Sequence, residues 1–178
     1  MSALILGCDP GLDGAFVALK DDGSFIKGWI MPVFELKKKK GGTKREIDLL
    51  SLRNIMREFK QSAGDLSIHL YLEQSSPMPG EGTVSSAKAG KGFGYIEAMV
   101  FCHDIPYSLV HPRKWTTRIH AGTSPDLDAK ARSRQVVARL YPGLDLRATE
   151  RCRNQHEGLV DALLIARYGS ETLREVVA

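Results

Sequence analysis

The chain has 178 residues, 43% of them hydrophobic and 26% charged. That balance excludes intrinsic disorder and supplies the core of one domain of ordinary size, here residues 1–178. A formal net charge of +4 allows a polyanionic partner without requiring one, and no apolar run is long enough to span a bilayer.

Leu4–Cys8 reads as an apolar strand that ends on an acid, Asp9, followed by the turn formers Pro10, Gly11 and Gly14. Gly14–Leu19 can pair back as a second strand. The turn signal Asp21-Asp22-Gly23 leads into a third, Ser24–Met31, so the spacing predicts an antiparallel meander. Residues 37–45 read as a basic loop, either a solvated connection or an arm that contacts phosphate. Ile47, Leu50, Ile55, Met56 and Phe59 recur at helical spacing and predict a helix over 46–62. Ile68–Glu73 is a short buried strand that again ends on an acid, and 74–82 is rich in turn formers.

Thr83–His103 reads as a helix loosened by Gly90, Gly92 and Gly94, or as a loop followed by a shorter helix from Tyr95. Three glycines cost such a helix about 1 kcal/mol each against alanine, which makes sense if a second backbone approaches closely. Tyr107–Val110 is a strand, and Pro112 fits the first turn of a short helix containing Trp115. Asp126 or Asp128 can cap a basic helix ending at Leu140, and the last helix runs from near Gln155 to about Tyr168. A meander followed by strands alternating with helices implies an α/β fold, a mixed sheet with helices packed on it. Cys8, Cys102 and Cys152 match no zinc spacing. Cys8 and Cys102, in apolar runs, are expected in the core. With no sign of a cleaved leader, the expected setting is the cytoplasm.

The acids carry the chemistry. Asp9 and Glu73 both end strands, and neighbouring strands lie about 4.8 Å apart, so the two can share a site if their strands pair. Glu157 and Asp161 are four residues apart, on one face of the last helix. Asp161 interrupts an apolar helical run, where a carboxylate needs a partner. Such an all-carboxylate set suits a hard cation, Mg²⁺ or Mn²⁺. Two ions about 3.5–4 Å apart are a known arrangement for phosphodiester hydrolysis. Structural roles stay open beside this one: Asp9 as a turn-holding acid, Glu73 in an ion pair, Glu157 on the helix dipole, His156 as a helix-start residue, and Asp13 as a turn residue.

Three segments resemble motifs of the RuvC-like Holliday junction resolvases: Ile5–Ala15, Leu70–Gln74 and His156–Ala166. The last is similar to the phage and prophage branch, as is Met78-Pro79-Gly80-Glu81-Gly82. The resemblance implies an RNase H-like fold with a mixed five-stranded sheet. It also implies a homodimer that nicks four-way or branched DNA with Mg²⁺ or Mn²⁺, two ions per site. Asp9, Glu73 and Asp161 match the family's metal ligands. The fourth ligand is Glu157 on the phage spacing, with His156 the lesser candidate, because the bacterial spacing falls on Gly158. Lys114 and Lys130 match DNA-contacting positions, Arg113 and Arg132 on the same segments join them, and Lys88 and Lys91 lie on the glycine-rich helix, where the family puts dimer and junction contacts. The alternatives are another RNase H-like nuclease, acting on RNA–DNA hybrid or RNA, and a non-catalytic nucleic-acid-binding module.

Overall fold

The computed structural model describes residues 3–37, 41–74 and 82–177. Its strands are β1 (Ala3–Asp9), β2 (Ala15–Lys20), β3 (Phe25–Ile30), β4 (Val33–Lys37), β5 (Thr43–Ile47), β6 (Ser67–Glu73) and β7 (Tyr107–Val110). Its helices are α1 (Leu49–Ala63), α2 (Thr83–Cys102), α3 (Pro112–Ile119), α4 (Ala129–Leu140) and α5 (Glu157–Val177). The main sheet has the order β3-β2-β1-β6-β7. The meander β1-β2-β3 is antiparallel, whereas β1, β6 and β7 run parallel. This is the mixed five-stranded sheet that the strand pattern predicted.

The central strand is apolar throughout because both its faces are covered. Ala3 and Ile5 pack with α5 and with residues of α3 and α4. Leu4, Leu6 and Cys8 point the other way, into a second core with Leu52, Met56 and Phe59 of α1 and Ile96 and Val100 of α2. Helix α5 is the scaffold of the first core. Leu159, Val160 and the run Ala162–Ala166 are buried, and β1 approaches so closely that a Cβ at Gly7 would stand 2.2 Å from the Ala162 carbonyl oxygen.

Four expectations are corrected. The stretch 37–45 is not simply a loop: Lys37 ends β4, and Thr43–Arg45 begin β5, which pair as an antiparallel hairpin outside the main sheet. Lys38–Lys40, and the Met78–Glu81 part of the phage-like motif, lie outside the described residues. The helix begins at Leu49 and not at Glu46, because Glu46 and Ile47 are spent on that hairpin and Asp48 caps the helix through Leu50 N (3.0 Å) and Ser51 N (3.2 Å). Helix α2 is continuous through its three glycines. Cys8 is buried as expected, but Cys102 is exposed. It follows the buried Val100 by two residues, about 200° around the helix, and so faces away from the sheet. Helix α5 also runs well past Tyr168, to Val177.

Candidate active site

Register brings the two strand-end acids together. In the parallel pair β1–β6, Cys8 lies opposite Leu72, so Asp9 and Glu73 follow as neighbours at the carboxyl ends of the strands. Side chains alternate along a strand. Asp9 therefore shares a face with Ile5, and Glu73 with Tyr71, both of the core beneath α5. Asp161, on α5, is set above this face.

Close packing fixes that placement. A Cβ at Gly158 would come within 2.2 Å of the Asp13 carbonyl oxygen, so only glycine lets the first turn of α5 rest on the turn that follows Asp9. The glycine that removes the bacterial ligand position thus has a packing reason of its own. Asp9 Oδ1 accepts the Gly11 amide at 3.2 Å, the turn-holding bond anticipated from the sequence. Glu73 Oε1 accepts the indole N–H of Trp115 at 2.7 Å.

The three acids stand in a partly dehydrated, mutually repelling group. Burial pushes the Glu73 carboxyl up to about 7, against the Trp115 hydrogen bond and with the help of Asp9 and Asp161. Burial pushes Asp161 up to about 6, reinforced by Asp9 and opposed by the Ser133 hydroxyl. Asp9 is raised by burial too, and the Gly11 amide and His156 oppose the shift. Among the described residues none of the three forms a salt bridge. Nor do any three His, Cys, Asp or Glu side chains there form a preformed metal-binding cluster. Oxygen-only donors, raised chiefly by burial, nonetheless fit a hard divalent ion.

The fold has close counterparts. The structure of T. thermophilus RuvC in complex with a Holliday junction substrate is 14% identical to the chain. The match covers 97% of this chain and 96% of that one, with a TM-score of 0.54. A further Thermus thermophilus RuvC structure is 16% identical over 99% of this chain and 97% of that one, at a TM-score of 0.53. The chain has the RuvC-like resolvase fold. No protein-family model matches it, and no curated protein matches it in sequence. No helix among the described residues is long and apolar enough to cross a membrane.

Around the three acids, the RuvC-like fold distributes the remaining candidates unevenly. His156 precedes α5, and its Nδ1 accepts the Leu159 amide at 3.4 Å, a helix-start role. Glu157 is turned outward: its carboxylate is bonded to Lys130 and lies 3.7 Å from Arg134 Nη1. Arg113 and Lys114 are exposed in the first turn of α3. Arg132 instead donates to Thr123 Oγ1 at 2.7 Å and to the His120 carbonyl, bracing the loop before α4. Lys88 and Lys91 are exposed on α2. Trp115, Ser133, Arg134 and Arg45 went unassigned from the sequence. For Trp115 the signal was there, since a buried indole N–H seeks an acceptor. For Arg45, reading β5 as a strand would have been needed.

Proposed function

We propose that this protein is a Holliday junction resolvase. In this reading it is a homodimeric, structure-selective endonuclease that hydrolyses phosphodiesters in four-way or branched DNA and depends on Mg²⁺ or Mn²⁺. The observation that carries the reading is the group Asp9, Glu73 and Asp161: three carboxylates from β1, β6 and α5, each raised chiefly by burial, Glu73 and Asp161 also by neighbouring acids, with no salt-bridge partner among the described residues.

These three residues would hold the metal, two ions per site, with Glu157 completing the set if it exchanges Lys130 for a cation. When bound, divalent ions there would supply a nucleophile from water at neutral pH and would stabilise the departing oxygen. The chain's own contribution is positioning. The Gly11 amide pins Asp9 Oδ1 and the Trp115 indole pins Glu73 Oε1, so each acid keeps its second oxygen for a ligand. Gly7 and Gly158 let α5 bring Asp161 down over the strand ends. Lys114 and Arg113 at the start of α3, with Lys130 on α4, would neutralise phosphates and add a salt-dependent term to binding. Gly90 and Gly94 support a dimer contact. A Cβ at either would meet nothing within 4 Å among the described residues, so packing against these does not require glycine there.

The test is a substrate panel of four-way junction, plain duplex and RNA–DNA hybrid, with Mg²⁺ or Mn²⁺ added and withheld. We expect cleavage of the junction alone, and only with metal. Equal cutting of all three would favour a general RNase H-like nuclease. No cutting, with a Tm unmoved by either metal, would favour a non-catalytic binding module.

A further inference from the structure

The hairpin β4–β5 leaves a groove between itself and α2 that ends at the residues following Asp9. One part, about 310 Å³, is bounded by Pro10 and Gly11, the residues after Asp9, and by Lys88 on α2. A second part continues along β5 past Lys44 to Lys91. Leu12, Ile47 and Gly92 border both parts. The fit is close: a Cβ at Gly92 would touch Ile47 Cδ1 at 3.4 Å. The one acid bordering the groove among the described residues, Glu46, is bonded to Lys44 and lies 3.9 Å from Lys91 Nζ.

The hairpin is fastened to the turn that carries Asp9. Arg45 Nη1 donates to Asp13 Oδ1 at 2.7 Å, and Nη2 donates to the Leu12 carbonyl at 2.8 Å. Arg45 thereby spends its charge on the turn, while at the rim Lys44 and Lys91 share the single carboxylate of Glu46 and Lys88 forms no salt bridge among the described residues. A rim of lysines over an apolar floor, ending beside a carboxylate centre, matches a single nucleic-acid strand: phosphates meet the ammonium groups, and sugar and base faces lie on Leu12, Ile47 and Tyr95.

We propose that the β4–β5 hairpin and α2 form a strand guide, braced on the catalytic turn by Arg45, which delivers one DNA strand to Asp9. The proposal rests on the resolvase reading and adds the path of the strand and two residues, Lys44 and Arg45, as rim and brace. Arg45 acts here as a positioning residue.

The test measures anisotropy of a fluorescent four-way junction over a KCl series, in the Asp9→Asn background. Lys88→Ala with Lys91→Ala should make the slope of log K against log salt shallower by about 2, and weaken binding roughly tenfold at 0.1 M salt. Lys20→Ala, at the far end of β2 from Asp9, should change neither. With Asp9 restored, Arg45→Ala should slow junction cleavage at least tenfold while junction affinity stays within about threefold, and Arg45→Lys should recover part of the rate. An unchanged slope in the double variant overturns the guide, as does a changed molar mass by light scattering in place of a changed slope, which assigns the groove to contact between copies of the chain. A wild-type rate for Arg45→Ala overturns the brace. If the Asp9→Asn parent fails to bind the junction even at 0.05 M salt, the resolvase reading falls with the proposal. Binding by the parent with no effect in the variants sinks the proposal alone.

Discussion

Two groups of acids in this protein are treated in opposite ways. On the surface, Glu58 is paired with Lys27, Glu175 with Arg118, and Glu157 with Lys130 and Arg134. At the carboxyl ends of β1 and β6 and on the facing side of α5, Asp9, Glu73 and Asp161 are half-buried and have no such partner among the described residues. Stability alone would produce the reverse. An exposed ion pair contributes little, whereas a dehydrated carboxylate without a partner is costly. The chain has 25 lysines and arginines, so cations are not scarce. In the proposed reading, their absence from the three acids among the described residues leaves that position to a bound cation.

The comparison breaks first on activity. Asp9→Asn, Glu73→Gln and Asp161→Asn should each lower single-turnover junction cleavage by about a thousandfold or more, with junction binding retained. An active Asp9→Asn enzyme would remove the carboxylate scheme altogether. Glu157→Gln should cost far less, on the order of tenfold, because this acid is already held by Lys130 and Arg134. A loss as large as that for Asp161→Asn would place Glu157 with the unpaired group and erase the contrast.

Stability sharpens the comparison. Glu73 and Asp161 have carboxyls at about 7 and about 6, above their ordinary values of 4.5 and 3.8. The folded state therefore binds protons more tightly than the unfolded chain. This contribution is fully present below about pH 4 and is lost as pH rises through the folded values, so metal-free protein should lose stability between about pH 4 and 7. Denaturant unfolding should show a fall of roughly 6 kcal/mol from these two acids across that window. At pH 8 without metal, Glu73→Gln or Asp161→Asn should unfold at higher denaturant than wild type. A destabilised pair of variants would mean that these acids serve the fold.

The smallest effect is expected at Trp115. Its indole hydrogen bond opposes the rise of Glu73. Trp115→Phe should move the acid limb of the pH–rate profile toward alkaline pH by less than about one unit. A shift toward acid pH would contradict the assigned direction.

The sheet and the three acids were legible because local rules governed them. A continuous apolar run marked β1 as a strand, strand-end acids marked Asp9 and Glu73, and an acid within an apolar helix marked Asp161. The hairpin β4–β5 was hidden because 37–45 is lysine, glycine, threonine and arginine, with few residues that favour strands. Its first strand, Val33–Lys37, carries no alternation to mark it: only Val33 is partly buried and the other four residues are exposed. The partners of the acids were not legible either. That Trp115 reaches Glu73 while Lys130 takes Glu157 follows from how α3 and α4 dock beside α5, and no spacing within either helix encodes that. Cys102 was misplaced for a simpler reason: in an apolar stretch the helical phase, set by Ile96 and Val100, decides which side is buried.

The most direct test is calorimetric titration of Mn²⁺ into the wild-type protein and into the variant carrying Asp9→Asn, Glu73→Gln and Asp161→Asn together. Wild type should bind the ion, with protons released at pH 6.5 as the raised carboxyls ionise, and the triple variant should show no binding. Equal Mn²⁺ binding by the two proteins would contradict the assignment of the three unpaired acids as the cation site.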